Sequence, residues 1–400
     1  MDYSETRLAD YTDDSAIGRG GIDVPFLLLT LLLLTIGVVM VLSSSFARAY
    51  YSSATNHTAT YYFSRQLIFA VTGVAIMIVA SRFPIGFYRR FSGVILLFSL
   101  VMLLLVLVGG EKVNGARRWF KIGGITFQPS EIAKIAVILF DAQLICRFKE
   151  KMGTFRYGVL PFGIVAALVI GLLVLEPHLS GSIIILLVTA TMMFIGGTRL
   201  GWFAGVGGVA GLGLLLAVNV LHYSSERISA WLDPFADTSD TGYQIIQSLY
   251  AIGSGGLSGL GIGNSRQKYL YLPEEHNDFI FSVVCEELGF IGAVLILILF
   301  ALLICRGFWL AMHCRDRYSF LVCAGITALL AYQVILNVAV VTNLIPCTGI
   351  SLPFFSYGGT ALWLQLAEMG VVLSVSRDIP EKKFFRERKK QARVKEEAEA

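Results

Sequence analysis

Ten stretches of this 400-residue chain are too long and too apolar to stay in water, and that repetition limits what the chain can fold into. They lie near 25–46, 67–81, 92–109, 130–146, 159–175, 183–198, 202–222, 279–305, 319–342 and 358–376. A bilayer core offers no water to backbone N–H and C=O groups, so only helices or closed barrels cross it, and apolar runs of about 20 residues match helices. With 56% hydrophobic and 15% charged residues, the composition excludes a soluble enzyme on a single anchor. The expectation is an all-α, polytopic membrane protein with ten transmembrane helices and a large extracytoplasmic loop between the seventh and eighth. The first span is too long for a signal-peptide core and no small-residue cleavage pattern follows it, so it is retained.

An even number of spans puts both termini on one side. Of the 32 Lys and Arg residues, 22 fall on that side, in the N-terminal segment 1–24, the turns at 82–90, 147–157 and 306–317, Arg199, and the tail 377–400. The positive-inside bias makes that side cytoplasmic. The tail mixes basic and acidic residues without apolar periodicity and reads as a solvated segment in contact with anionic lipid. The opposite face then owns the loops at 47–66, 110–129, 223–278 and 343–357. No phosphate-binding loop of the G-x-x-x-x-G-K-[ST] type occurs, so ATP hydrolysis is excluded. The six cysteines show no metal-ligand spacing and read as packing residues.

The unusual charges sit in those outer loops. Asp278, in YLPEEHNDF, lies where water ends and hydrocarbon begins, which fits either a hydrated cap or a functional carboxylate at the mouth of a bundle. Lys112, Arg117, Arg118 and Lys121 crowd the 110–129 loop, which the positive-inside bias would leave depleted. Guanidinium groups bind phosphate bidentately, whether of a substrate or of lipid headgroups. Pro129 and Ser130 are helix-start signals, and Glu131 suits the first turn of the helix that follows. Lys134, a cation near the positive end of a membrane helix, needs a partner, and Glu131 is three residues away. The pair fits a structural lock or a substrate-binding site.

The long 223–278 loop contains YQIIQSLYAIGSGG, with apolar residues at helical spacing, as in a helix lying on the membrane surface. Six glycines between Gly253 and Gly263 permit a hinge or a close approach to a ligand. The last loop, NLIPCTGISLPFFSYGG, reads as a rigid re-entrant turn and a cavity wall. Ser356 at its end and His276 beside Asp278 are expected on the substrate-binding surface.

Three blocks, GARRWFKIGGITFQPSEIAK, GYQIIQSLYAIGSGGLSGLGIGNSRQKYLYLPEEHNDFIFSVVCEELGFIG and PCTGISLPFFSYGGT, follow one another in the order found in a known family. They resemble the shape, elongation, division and sporulation (SEDS) polymerases, which include FtsW and RodA, over nearly the whole chain. GNSRQKYLYLPEEHNDF is more similar to the FtsW and sporulation branch than to RodA. The resemblance implies a ten-helix fold in the bacterial cytoplasmic membrane that polymerises lipid II into glycan strands with a cognate class B penicillin-binding protein. It further implies that Asp278 is catalytic and that Glu131, Lys134, Arg117 and Arg118 match positions tied to activity. His178 stands where many members have Asp, and Asn343 and Cys347 stand where Gly and Val or Thr are common.

With lipid II as substrate, a sugar hydroxyl must attack an anomeric carbon while a lipid diphosphate leaves. Such a site needs a general base and positive charge on the leaving group. Asp278 is the expected base, and Arg117, Arg118 and Lys134 the expected charges, with a divalent cation (Mg²⁺ or Mn²⁺) as a further candidate. Nucleic acid is not an expected partner. The competing classes are a transporter that flips lipid II across the membrane and a non-catalytic scaffold.

Overall fold

The computed structural model describes residues 20–379, apart from 114–115, 123–124, 206, 209–210, 212–224 and 237–240. The seventh expected span, 202–222, falls mostly outside the described residues, as do residues 1–19 and the tail from 380. In chain order the elements are α1 (Val24–Tyr51), α2 (Tyr61–Arg82), α3 (Ile85–Gly109), β1 (Glu111–Val113), β2 (Ala116–Ile122), β3 (Ile125–Phe127) and α4 (Pro129–Phe148). They continue with α5 (Phe155–Gly158), α6 (Leu160–Leu175), α7 (Leu179–Gly196), α8 (Ser225–Leu232), α9 (Thr241–Ser254), α10 (Ile280–Met312), α11 (Arg317–Val341) and α12 (Gly359–Ser376). Among the described residues eight helical segments are long and apolar enough to cross a membrane: α1, α2, α3, Phe155–Leu175, α7, α10, α11 and α12. The 20-residue α4 has the length but carries Glu131, Lys134, Asp141 and Arg147. The chain is an all-α polytopic membrane protein.

Helix starts follow local chemistry. The Asp23 carboxylate accepts from Phe26 N at 2.9 Å with a proline in the first turn of α1, and Asp316 accepts from Tyr318 N and Ser319 N at the head of α11. Asp23 is also held by Arg306 at 2.5 Å, tying α1 to α10. The helices α2 and α3 begin several residues before the expected spans, because apolar windows mark only the part within hydrocarbon while the helix runs on through Tyr61–Arg65 and Arg89–Arg90. Outward faces stay apolar, with Val71, Leu97, Val108 and Ile335 all exposed, as lipid contact requires. Inside, the core gathers α1, α4, α7, α10, α11 and α12.

Two loops differ from their expected form. The 110–129 segment contains a three-stranded antiparallel sheet in the order β1-β2-β3, pairing Lys112 with Arg117 and Lys121 with Thr126. Strands this short leave no signal in a 20-residue apolar window. The helix α9 does not lie free on the membrane surface: Ile245, Ile246 and Ala251 are buried in protein, and Ser248 bonds Ser282 Oγ and Val341 O, both at 2.7 Å.

The glycines after α9 form neither a hinge nor an open cradle but a backbone-to-backbone contact. Leu260 N and Gly261 N donate to Glu286 O and Glu287 O, each at 3.0 Å, where α10 leaves helical geometry at Gly289. A Cβ on Gly259 would stand 2.2 Å from Glu287 O, so no larger residue fits. Residues 343–357 form an irregular segment folded into the bundle. Ile350, Leu352, Phe354 and Phe355 are buried, and Gly37 of α1 lies against the Phe354 carbonyl. All six cysteines are free thiols.

Candidate functional site

Asp278 is the last residue but one before α10, and three anchors fix its backbone. Asn337 Nδ2, from α11, donates to Asp278 O at 2.8 Å and to Ile350 O at 2.7 Å. Ser356 Oγ donates to Asn277 O at 2.8 Å and accepts from Leu352 N at 2.8 Å. Tyr357 N donates to His276 O at 2.8 Å. The 343–357 loop therefore supports the Asp278 segment from behind. Gly349 adopts φ +71°, and a Cβ there would meet Asp278 Oδ2 at 3.1 Å, so this glycine leaves room for the carboxylate.

Asp278 remains half-buried, with part of its surface open. Burial first, and the nearby Glu274 charge second, push its carboxyl up to about 6, against the pull of Arg227, His276 and Arg118. A carboxylate with that value is ionised at neutral pH yet basic enough to take a proton.

Cations approach from separate elements. Successive strand residues point to opposite faces, so Arg117 and Arg118 part company. Arg117 is exposed and turns back to Leu107 O and Val108 O at the end of α3. Arg118 reaches inward, donating to Glu176 O at 3.1 Å and to Pro177 O. Arg227 of α8 donates to Cys347 O at 3.0 Å on the 343–357 loop. Beside Arg118, burial lifts the Glu176 carboxyl to about 8, and burial with the Arg118 and Lys134 charges lowers His178 to about 3. Both Glu176 carboxylate oxygens and His178 Nδ1 are buried with no hydrogen-bond partner among the described residues.

On α4, Lys134 Nζ lies 2.7 Å from Glu131 Oε2, and both side chains are almost fully buried. The helix itself begins at Pro129, with Gln128 rather than Ser130 in the cap position. Glu368 of α12, also buried, lies within electrostatic reach of this pair.

The structure thus places Asp278 within electrostatic reach of Arg118, and His178 within that of Arg118 and Lys134. Lys121 is exposed and pairs with Glu111 at 3.3 Å on the outside of the sheet. His276 is buried, its ring 4.6 Å from Tyr62 and 5.7 Å from Tyr357, and Ser356 is engaged with backbone. Arg227, Asn337, Glu176 and Glu368 escaped the sequence reading. A buried Asn in an apolar helix was the one signal available for Asn337. Arg48 was missed too: it forks onto the buried Glu275 at 2.6 and 2.7 Å, three residues from Asp278. Burial works to raise the Glu275 carboxyl, but Arg48 and the neighbouring His276 outweigh it and hold it below the ordinary range. A cleft of about 530 Å³ between Arg147 and Tyr157 lies at the opposite end of α4 and contains none of these groups.

Among the described residues no group of three or more His, Cys, Asp or Glu side chains could hold a metal ion by itself. The Glu274 carboxylate lies within electrostatic reach of Asp278.

The family model FTSW_RODA_SPOVE, described as "Cell cycle protein", matches residues 24–380. The chain is 40% identical over 358 residues to Stage V sporulation protein E of Bacillus subtilis (strain 168), covering 89% of this chain and 97% of that one. It is 40% identical over 356 residues to the probable peptidoglycan glycosyltransferase FtsW of Trichlorobacter lovleyi, covering 88% and 93%. Among solved structures, a chain from work on the coordination of polymerization and crosslinking by a peptidoglycan synthase complex superposes with a TM-score of 0.73. It is 29% identical and covers 90% of this chain and 99% of that one. The rod shape determining protein RodA of Thermus thermophilus gives a TM-score of 0.67 at 28% identity, covering 90% and 98%.

Proposed function

The chain belongs to the FtsW, RodA and SpoVE family, and from that premise we propose that it is a peptidoglycan glycosyltransferase that polymerises lipid II at the outer face of the bacterial cytoplasmic membrane. The observation that carries the reading is Asp278: a half-buried carboxylate, held from behind by the 343–357 loop, partly open to solvent and within electrostatic reach of Arg118 and Arg227. In this reading Asp278 takes the proton from the attacking sugar hydroxyl as the new O–C1 bond forms. The bond from C1 to the diphosphate oxygen breaks with its electron pair on the leaving group, and the anomeric configuration inverts. Arg118 and Arg227, with Lys134 behind them, oppose the charge that develops there. The fold is proposed to have ten spans with both termini in the cytoplasm, which the positive-inside count supports.

A divalent cation remains part of the proposal. Mg²⁺ commonly takes one or two carboxylates and fills its remaining positions with water and substrate phosphate, so the diphosphate itself would supply much of its coordination. Its chemistry would be neutralisation of diphosphate charge. A class B penicillin-binding protein is the proposed partner, supported by the likeness to a chain from a peptidoglycan synthase complex.

The competing reading, a carrier that flips lipid II, draws on Asp141, a fully buried carboxylate ten residues beyond Glu131 and so about 15 Å deeper along α4. One assay separates the two. The purified protein, alone and with its partner, is given lipid II, and the wild type is compared with Asp278→Ala. Long strands that vanish in the variant support the polymerase, whereas no strands together with lipid II crossing in proteoliposomes overturn it.

A further inference from the structure

The first turn of α4 carries Glu131 and Lys134, and its last turn opens into a cleft of different make. That cleft, about 530 Å³ in volume, is lined by Arg147, Phe148, Lys149, Glu150, Lys151 and Tyr157. Three cations thus meet one acid. All four charged side chains are exposed, and among the described residues none of them makes an ion pair. The turn that carries them is fastened in place. Lys149 leaves α4 at φ +42° with its N–H still donating to Ile145 O, and Met152 is buried beneath the turn. Thr198 Oγ1 donates to Gly158 O at 3.1 Å, and Trp202 Nε1 donates to Gly153 O at 3.4 Å. Two aromatic walls complete the cleft: the Phe148 and Tyr157 rings lie 5.2 Å apart, with Lys151 Nζ 5.5 Å from the Tyr157 ring. Just beyond it, the exposed rings of Phe155 and Trp202 pair at 5.2 Å.

A helix C-terminus attracts cations by its own dipole, but that effect fades within the last turn. It accounts for Arg147 and leaves Lys149 and Lys151, which lie past the end of α4, without a reason. Exposed aromatic rings beside Lys and Arg are the arrangement found at the depth of lipid headgroups, and a basic pocket at that depth suits an anionic headgroup. We propose that this cleft binds the phosphate of an anionic membrane lipid. Arg147, Lys149 and Lys151 would meet the phosphate oxygens, and Phe148 and Tyr157 the apolar part of the lipid next to it. The positive-inside count puts this end of α4 in the cytoplasm, so the lipid would belong to the inner leaflet. Arg147 lies about 24 Å along α4 from Glu131, so the site is separate from the chemistry proposed at Asp278 and does not rest on it.

Native mass spectrometry of the full-length protein in detergent, titrated with dioleoylphosphatidylglycerol, tests the assignment. The wild type should bind the lipid saturably. Lys149→Gln combined with Lys151→Gln should weaken the apparent affinity about thirtyfold, about fivefold for each cation, and Arg147→Gln alone about fivefold. Arg82→Gln combined with Arg90→Gln removes the same charge from exposed residues of the turn between α2 and α3, and should change the affinity by less than about twofold. Lys149→Arg combined with Lys151→Arg keeps the charge and should bind like the wild type, which separates loss of charge from damage to the turn. The proposal is overturned if the arginine control pair loses as much affinity as the lysine pair, or if dioleoylphosphatidylcholine binds the wild type as tightly. It is overturned equally if sodium phosphate at the concentration of the lipid displaces it, which would assign the cleft to a soluble anion, or if no saturable binding is seen.

Discussion

Asp278 and Glu286 are both carboxylates at the head of α10, yet their surroundings are opposite. Glu286 is fully buried and saturated, accepting from Ser265 Oγ at 2.5 Å, Arg266 N at 2.9 Å and Ser254 Oγ at 3.3 Å. Its neighbour Glu287 is equally enclosed, with Lys268 Nζ at 2.9 Å and Ser43 Oγ at 2.7 Å. Asp278 keeps an open edge, and among the described residues no hydrogen bond reaches its carboxylate oxygens. Saturation makes Glu286 and Glu287 the fastening that pins the glycine-rich segment and the loop after it to α1 and α10. The missing donors at Asp278 leave its lone pairs open, as the base role proposed for it requires. Sequence puts all three acids within one short stretch, and only their partners distinguish fastening from chemistry.

That contrast can be broken most directly at Asp278. Asp278→Asn should cut strand synthesis by about 10²–10⁴-fold, the range for loss of a general base, while the protein stays folded by thermal denaturation in detergent. A variant that unfolds with its activity would return Asp278 to the structural class. Next in size, Lys268→Met leaves Glu287 charged and unpaired in a closed site and should cost about 3–5 kcal/mol of stability. Adding Glu287→Leu should restore most of it, measured by the same thermal unfolding. A double variant as unstable as the single would show that the pair does more than cancel its own charges.

The pH response sharpens the comparison further. The Asp278 carboxyl sits near 6 in the folded protein against an ordinary 3.8, so the folded state binds that proton more tightly than the unfolded one. Activity should therefore fall about tenfold per unit below pH 6 as the base is protonated. Stability should decline as pH rises from about 4 to 6 and stay lower above, a loss that Asp278→Asn removes. Equal thermal stability of the variant and wild type at pH 7.5 would argue against a strained carboxylate. The smallest effect belongs to Lys121→Ala. Its exposed pair with Glu111 contributes little, and synthesis should change by less than about twofold.

Much of the bundle could be read directly, because apolar runs of span length have few alternatives in a bilayer. The Glu131–Lys134 contact was equally legible, since residues three apart on a helix share a face. The split between Arg117 and Arg118 was not, because it depends on a strand of seven residues whose register is set by its neighbours. Nor was the work of Ser356, which supports Asn277 rather than facing the open edge of the site. Arg48 and Glu275 are separated by more than two hundred residues, and no local pattern links them.

By itself, then, the sequence determined that this chain lives in a membrane, roughly where its helices run, and which charges demand an explanation. Those follow from hydrophobicity and from the cost of an ion near hydrocarbon, both properties of single residues and short windows. Only the tertiary structure decided which charges meet, that Gly349 makes room for Asp278, that Arg118 rather than Arg117 turns inward, and that the rings of Tyr62, His276 and Tyr357 pack together. Those outcomes depend on contacts between segments far apart in the chain, and a partner at long range is set by how helices pack rather than by any window of residues.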